Sequence, residues 1–313
     1  MSEPSHAIAE GGALAAADGV APAPALRTRK SQVVPRLLRS KAAMASLLVF
    51  LVVAVAAAAA PWLAPHDPFA IRLIQRLKPP GYVNGAHATF WLGTDALGRD
   101  VLSRLIFGAR VSLVVGLSAL AISGVIGLLV GLVAGYFGGL VDDVVMRVAD
   151  IQLSFPTILL ALTIMAVLGG GLDKLILVLG LTGWVQYGRI VRGQVLSLKQ
   201  EEFVLAARAT GEAQWRILFQ HILPNLWSPV IVMASFTVAS NIVAEASLSF
   251  LGVGVPPSVP SWGAMLADGR QYVGVADWLT LPAGVAISVT VLSINILGDW
   301  LRDFLDPRLK NIL

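Results

Sequence analysis

The amino-acid sequence predicts an all-α membrane protein with six transmembrane helices and cytoplasmic N- and C-termini. Hydrophobic residues make up 56% of the chain and charged residues only 13%, with a mean hydropathy of +0.77. A soluble domain carries about 25% charged residues, so this composition excludes an ordinary soluble protein. The apolar residues gather in runs long enough to cross a bilayer, and both ends of the chain are basic. Basic tails on one side of the membrane require an even number of crossings.

Five apolar runs reach the length of roughly 20 residues that a helix needs to cross a bilayer core. A sixth run has only 14 uncharged residues, but Arg189 and Arg192 extend it by reaching toward the headgroups. In chain order, the predicted spans are residues 42–66, 111–141, 151–172, 175–188, a stretch within 217–244 that starts after Pro224, and 278–298.

The distribution of basic residues predicts the orientation of these spans. With the N-terminus inside, 15 of the 23 Lys and Arg residues fall in inside segments and eight in outside segments, as the positive-inside rule expects. Residues 1–41 are rich in Ala, Pro, Gly and Ser and predict a disordered cytoplasmic tail. Residues 56–60 would suit a signal peptidase, but this tail is too long for an ordinary signal peptide, which favours an uncleaved anchor. The tail ends in a basic cluster: Arg27, Arg29, Lys30, Arg36, Arg39 and Lys41.

Several function classes are excluded by the composition and the motifs. The pI of 9.6 arises from basic residues that flank apolar runs, so membrane topology explains it and a nucleic-acid partner is not expected. The chain has no cysteine, and its four histidines are scattered, so no metal site is expected. No Ser/His/Asp or Cys/His set is evident, and we expect no catalytic residue. No Gly-x4-Gly-Lys-Ser/Thr run occurs, so ATP chemistry would need another chain.

Residues 201–225 form a charged segment between two apolar runs. A charge at mid-bilayer costs on the order of 2.5–3.5 kcal/mol, so this segment is predicted to lie in water. Its pattern predicts two short helices, 203–209 and 213–222, separated by Gly211 and ended by Pro224. Such a hairpin exposes apolar side chains that need a cover, which is typical of a docking element. These side chains are Phe203, Val204, Trp215, Leu218 and Phe219.

Within this hairpin, Ala206 and Ala207 are followed after three residues by Gly211 and later by the Leu-Pro pair at 223–224. This spacing resembles the EAA loop of bacterial ABC-importer permeases. Two positions depart from the family pattern, because Leu205 replaces the family's Glu and His221 replaces an apolar residue. The resemblance implies that this loop couples the permease to an ATPase through Leu205, Ala206, Ala207, Gly211, His221, Leu223 and Pro224.

A second string, GTDALGRDVLSRLIFGAR at residues 93–110, precedes the second predicted span. Its residues alone predict an amphipathic helix at the membrane interface, capped by Thr94 or Asp95 and carrying two i,i+4 ion pairs, Asp95–Arg99 and Asp100–Arg104. The string also resembles the corresponding segment in the dipeptide, oligopeptide and nickel branch of the ABC permeases. Residues 250–266 and 298–310 resemble the outer loop and the C-terminal ending of that branch.

The resemblance implies a type I ABC importer permease with a MetI-like fold in the bacterial inner membrane. The implied organisation is a cytoplasmic tail at 1–41, a first transmembrane helix with a periplasmic loop and interfacial helix at 42–110, and a five-helix core at 111–313 with the coupling hairpin at 201–225. The implied partners are membrane lipid, a sister permease, two ATPase subunits that bind ATP and Mg, and an extracytoplasmic substrate-binding protein. Di- or oligopeptides are the implied cargo, and no cofactor is expected in this chain.

Two further features bear on function. Gly127, Gly131 and Gly135 recur at four-residue spacing and predict close helix packing. Glu245 is the one acid that a predicted transmembrane helix would carry, so it is a candidate for subunit or pathway contact, as is Trp262, which is expected at the level of the lipid headgroups. Glu245 also leaves open an alternative from another class, a stand-alone secondary transporter or channel with this acid as its ionisable centre. An intramembrane enzyme lacks a nucleophile–base or metal set.

Overall fold

A computed structural model describes residues 37–38 and 40–305. Within this part of the chain the protein is built from α-helices, with one small antiparallel hairpin formed by β1 (Tyr82–Val83) and β2 (Thr89–Phe90). Most of the predicted disordered tail and of its basic cluster lies outside the described residues, as do Arg308 and Lys310 near the C-terminus.

The first predicted span is a helix, α1 (Lys41–Ala58), whose N-terminus is capped by the side chain of Ser40. A short helix, α2 (Ala60–Leu63), follows directly, with Pro61 in its first turn. The chain from there to residue 100, which we call the outer segment for its predicted location, consists of turns, a short 3-10 helix (Leu73–Gln75) and the β-hairpin.

The long helix α3 (Val101–Phe137) begins ten residues before the predicted start of the second span, and it ends at Gly138, where φ is +67°. Its N-terminus is capped by Asp100, whose side chain accepts a hydrogen bond from the amide of Ser103. The predicted separate interfacial helix over residues 93–110 is therefore wrong. Residues 94–100 form a tight loop, and residues 101–110 are the first three turns of α3.

The third predicted span is not one straight helix. Helix α4 (Gly139–Leu153) and helix α5 (Thr157–Leu168) meet at a bend of 83°. Pro156 explains the break, since a proline disfavours helical geometry at the residue before it and removes a backbone donor.

Helix α6 (Leu172–Leu198) packs along α3, and the predicted role of the glycines in this packing is confirmed. A Cβ on Gly127 would lie 2.3 Å from Cβ of Tyr187, and one on Gly131 would lie 2.4 Å from the carbonyl oxygen of Gly188. These positions allow the two backbones to approach more closely than any side chain would permit.

After α6 come the hairpin helices α7 (Glu202–Ala209) and α8 (Gln214–Arg216), and then a π-helical turn at Ile217–Ile222. Helix α9 (Leu223–Phe250) continues from this turn without interruption and contains Pro229. A loop, which we call the outer loop for its predicted location, leads to α10 (Trp262–Gly269). The 3-10 turns at Arg270–Tyr272 and Asp277–Leu279 then precede α11 (Leu281–Leu305).

Among the described residues, three apolar clusters hold these helices together. One lies where α1, α3, α9, α10 and α11 meet, and the second joins α3, α5, α6 and α9. The third packs the hairpin against the ends of α3 and α6 and the start of α9. The hairpin is therefore fixed to one end of the helix assembly, whereas the loop 94–100 and α10 lie at the other end of α3.

Four of the described helical segments are long and apolar enough to cross a membrane: Lys41–Ala58, Val101–Phe137, Gln214–Phe250 and Asp277–Leu305. The bent pair of α4 and α5 makes a fifth if it counts as one span. Helix α6 contains the predicted short span 175–188 and is not among these candidates.

Candidate coupling hairpin and buried polar sites

The first arm of the hairpin, α7, is amphipathic. Val204 and Ala207 are buried in the cluster with the ends of α3 and α6, whereas Leu205 and Ala206 are exposed. The predicted helix 203–209 is confirmed to within one residue. The packing holds one face of α7 against the helix ends and leaves the other face open.

The turn of the hairpin depends on Gly211, which adopts a φ of +79° that other residues rarely adopt. The amide of Glu212 donates back to the carbonyl of Ala207 at 3.1 Å, and the Thr210 hydroxyl donates to the same carbonyl at 3.0 Å. A Cβ added at Gly211 would meet no atom within 4 Å. The glycine therefore serves the backbone conformation, and the space around it is open.

The second arm differs from the prediction, because Pro224 does not end it. The π-helical turn Ile217–Ile222 joins α8 to α9, and Pro224 lies in the first turn of α9, where its missing amide is tolerated. The arm and the following span are thus one continuous helical segment, Gln214–Phe250. His221 Nε2 lies 2.9 Å from Glu212 Oε2 and ties this arm to the turn.

An aromatic surface runs along the open side of the hairpin. Trp215 is 56% exposed, and its ring contacts those of Phe137 and Phe219 at centroid distances of 5.2 and 6.0 Å. Phe203 and Leu205 are also exposed. Exposed aromatic side chains in mutual contact, here Phe137, Trp215 and Phe219, mark an interaction surface.

Charged groups hold together the helix ends beside the hairpin. Lys199 Nζ donates to the carbonyls of Tyr136 at 2.7 Å and Gly135 at 3.3 Å, which are among the last carbonyls of α3. Burial and then the positive charge of Arg208 lower the pKa of Lys199. Arg192 forms a two-pronged ion pair with Asp142, linking α6 to α4.

The predicted coupling residues lie in one segment but differ in solvent exposure. Leu205, Ala206, Gly211 and Pro224 are exposed, His221 and Leu223 are half-buried, and Ala207 is buried. The sequence pattern thus includes residues on the open face and residues that hold the hairpin in place.

Glu245, the predicted intramembrane acid, is completely buried in α9. Its carboxylate accepts hydrogen bonds from Ser112 Oγ of α3 at 3.0 Å and from Ser249 Oγ at 2.9 Å. Ser249 Oγ also accepts from the amide of Val255 in the outer loop at 3.3 Å. The carboxyl group therefore joins two helices and a loop through hydroxyl groups.

Trp262 is only 2% exposed, so it contacts protein rather than the lipid headgroups expected from the sequence. Its indole Nε1 donates to the carbonyl of Leu105 at 3.0 Å. A Cβ on Gly108 would lie 2.7 Å from the indole ring, so this glycine makes room for it.

The loop before α3 carries a buried ion-pair network that the sequence pattern did not predict. The Asp95–Arg99 pair forms, with Nε 2.6 Å from Oδ2, but in a loop rather than a helix. The predicted Asp100–Arg104 pair does not form. Arg104 instead lies 3.4 Å from Asp268 Oδ2 of α10, and Arg99 lies 2.9 Å from the same oxygen.

Asp100 bonds instead to Ser103, whose hydroxyl donates to Asp100 Oδ2 at 2.6 Å. His66 Nδ1 lies 3.5 Å from that oxygen, and the His66 amide donates to Ser103 Oγ. These three side chains do not form a nucleophile–base pair, because the serine donates to the carboxylate and not to the imidazole. No group of three or more metal-ligating side chains occurs in the described part of the chain.

A family model described as the inner membrane component of binding-protein-dependent transport systems matches residues 127–311, more than half of the chain. The chain belongs to this family. A second model, described as the N-terminal TM domain of oligopeptide transport permease C, matches residues 30–80. The hairpin, Glu245 and α10 of this inner-membrane component all lie within the first match.

Similar curated proteins cover nearly the same length. A di/tripeptide transport system permease protein of Pseudomonas aeruginosa (strain UCBPP-PA14) is 43% identical over 272 residues, covering 87% of this chain and 90% of the relative. A glutathione transport system permease protein of Pectobacterium atrosepticum is 39% identical over 276 residues, covering 88% and 90%.

A solved structure showing inward-facing conformations of the MetNI methionine ABC transporter contains a chain with a TM-score of 0.53 and 21% identity to this one. The match covers 65% of this chain and 96% of that chain. At this identity the similarity shows the fold alone, and it confirms the predicted MetI-like fold. The inner-membrane component therefore shares its fold with a chain of the MetNI methionine ABC transporter.

Proposed function

We propose that this chain is a transmembrane permease subunit of an ATP-driven importer that moves di- or oligopeptides, or a related small solute, across the bacterial inner membrane. Membership of the inner-membrane component family supports this proposal. The observation that carries it is the hairpin, which is packed firmly on one side and exposes Phe203, Trp215 and Phe219 on the other. A lipid-embedded protein with a rigid, aromatic, water-facing elbow has a surface suited to a partner subunit.

The proposed topology has six spans with both termini in the cytoplasm. Helices α4 and α5 together count as one span, and α6 counts as another because 27 residues reach about 40 Å. The basic groups at the hairpin end of α6 are paired, Arg189 with Asp150 and Arg192 with Asp142. Paired charges at a helix end lower the cost of placing this helix across the bilayer.

In this proposal the hairpin contacts one of two ATPase subunits, which bind ATP and Mg, and a sister permease forms the other half of the membrane pathway. Leu205, Ala206 and Gly211 lie on the open face, where the small residues Ala206 and Gly211 allow close approach. Closure of the ATPases would move the hairpins of the two permeases together and shift the pair between inward- and outward-open packings. An extracytoplasmic binding protein would deliver the solute.

The names of the relatives support peptides as the solute class. One relative is named for di/tripeptide transport and another for glutathione transport, at 43% and 39% identity. Both names point to small peptides and not to one compound, so the proposal extends to the class. Selectivity within it would lie mainly in the separate binding protein.

The stand-alone transporter alternative receives less support from the structure. A proton or ion relay needs an acid that a transported ion can reach. Glu245 has no exposed surface, and its carboxylate is held by two serine hydroxyls. This environment fits a structural junction.

The coupling proposal is tested with Gly211→Trp in the assembled importer. A Cβ at Gly211 meets no atom within 4 Å, so the indole would project from the open face and block a partner. We expect peptide uptake to be abolished while the protein still inserts into the membrane. Gly81→Trp is the matched control, because Gly81 has the same φ of +79° and equally open space on the opposite side.

Normal uptake by Gly211→Trp would refute the coupling role. Separately, uptake is measured after ATP depletion with the proton gradient maintained. Uptake that continues without ATP would refute the importer proposal and favour the secondary transporter.

A further inference from the structure

A cavity of about 340 Å³ lies at the end of the protein opposite the hairpin. The loop 94–100 and the start of α3 form one wall, and α10 with the following 3-10 turn forms the other. We call it the outer charged cavity. Leu97, Met265 and Leu279 contribute apolar lining, and its volume falls at the lower end of the range for small-molecule sites.

The ionisable side chains in this lining are unequal in charge. Three arginines and two aspartates line the cavity, which leaves a net charge of +1. Two of the arginines are neutralised at its floor, because Arg99 and Arg104 share the carboxylates of Asp95 and Asp268. The excess positive charge therefore belongs to the remaining arginine, Arg270.

Arg270 forms no ion pair with any residue in the described ranges 37–38 and 40–305. Its guanidinium lies over the ring of Phe250 at 5.9 Å from the centroid, and the residue is exposed. It lines the outer charged cavity and also a neighbouring cavity of about 250 Å³. An unpaired guanidinium steadied on an aromatic ring is well suited to bind a carboxylate in two-pronged fashion.

Asp268 also lines both cavities and lies two residues away from Arg270. Its Oδ2 receives both arginines of the floor, while the side chain as a whole is 37% exposed. No described residue donates a hydrogen bond to Oδ1 of Asp268. The rim of the cavity thus presents Oδ1 of Asp268, an acceptor that no described residue occupies, and the unpaired guanidinium of Arg270.

We propose that the outer charged cavity is a binding site for the charged ends of a short peptide, with the peptide carboxylate on Arg270 and its ammonium on Asp268. This inference rests on the proposed importer function and adds a site within the permease itself. Two residues of extended chain span at most about 7 Å. The terminal ammonium and carboxylate of a dipeptide are therefore close enough to contact two side chains of the same cavity. Longer peptides would extend into the neighbouring cavity, which shares both residues.

The test measures peptide binding to the assembled complex in lipid nanodiscs without its binding protein. Saturation-transfer NMR with dialanine, dialanine C-terminal amide and N-acetyl dialanine detects weak binding at millimolar concentration. For the wild-type complex we expect dialanine to bind about tenfold more tightly than the amide, which cannot offer a carboxylate to Arg270. The N-acetyl peptide should lose a similar factor by leaving Asp268 without an ammonium.

The decisive variant is Arg270→Gln, which leaves the ion pairs of the floor intact. It should weaken dialanine binding about tenfold. Binding of the amide should be unchanged, because amidation of the peptide and substitution of Arg270 remove the same carboxylate–guanidinium contact and their effects are not additive. Arg302→Gln is the control, because Arg302 is an exposed arginine at the other end of α11. Its binding should match the wild type.

Equal binding of all three peptides, or equal loss in Arg270→Gln and Arg302→Gln, would overturn the proposed site. Signals of the same size from empty nanodiscs would also overturn it, as lipid binding only. Peptide uptake by the complete importer is measured in parallel. Uptake without the predicted binding pattern rejects the cavity alone, whereas absence of ATP-dependent uptake rejects the importer function.

Discussion

Replacing Gly131 with alanine should weaken the contact between α3 and α6. A Cβ at this position would lie 2.4 Å from the carbonyl oxygen of Gly188 and 2.9 Å from Cβ of Val191. The oxygen belongs to the backbone of α6, so no side-chain rotation relieves the overlap. The two helices would have to separate, and a close-packed interior resists such a shift.

Gly124 in the same helix provides the matched control. A Cβ there would meet only side-chain atoms of Leu120 and Tyr187 at 3.8 Å, which is ordinary contact. Both substitutions gain the same helix-propensity term, about 0.5–1 kcal/mol. The difference between Gly131→Ala and Gly124→Ala therefore isolates the steric cost, for which overpacking gives about 1–3 kcal/mol.

The assay is reversible unfolding of the detergent-solubilised protein, followed by tryptophan fluorescence, with both variants measured under identical conditions. Gly131→Ala should have the lower free energy of unfolding by about 1–3 kcal/mol. Equal unfolding free energies would show that α3 and α6 do not depend on this close approach, and the packing argument would fail.

Three further outcomes are expected. Gly98→Ala should destabilise the outer segment, because its Cβ would lie 1.9 Å from the carbonyl oxygen of Arg72. Gly81→Ala, in open space, should show only the strain of a positive φ, and the rate of proteolysis of the outer segment distinguishes the two variants. Glu245→Ala should lower the free energy of unfolding by about 1–3 kcal/mol, because it leaves serine hydroxyls unpaired. Glu245→Gln should retain peptide uptake, and loss of uptake in a stable Gln variant would indicate an ion relay through Glu245. Lys199→Met should cost about 0.3–1 kcal/mol in chemical denaturation, because a cation at a helix C-terminus is removed, and no change would show that the contact is screened.

The sequence predicted most of the helical elements because span length and hydropathy are local properties. Helix α7 and the apolar cores of α1, α3, α9 and α11 lie within the predicted segments. The bend between α4 and α5 has a visible signal in Pro156, which a long apolar run on both sides concealed. The continuity across Pro224 was missed because proline was treated only as the end of a helix. A proline in the first turn starts a helix as readily as it stops one.

The outer ion-pair network could not be predicted from neighbouring residues in the sequence, because its partners are far apart along the chain. Arg104 pairs with Asp268, 164 residues away, and not with Asp100, four residues away. The i,i+4 pattern describes isolated helices, in which no other partner competes. Once α10 packs against the start of α3, a distant carboxylate becomes nearer than the local one.

The segment Gln214–Phe250 has a mechanical consequence. It is a single helical rod of about 55 Å, and its two irregularities, the π-helical turn at Ile217–Ile222 and Pro229, both lie in the half at the hairpin end. Bending compliance is thus concentrated there, and the regular remainder moves as one stiff piece. A tilt imposed at Trp215 would be partly absorbed or redirected within those first turns. The remaining tilt would be transmitted in full to the Glu245 junction near the far end.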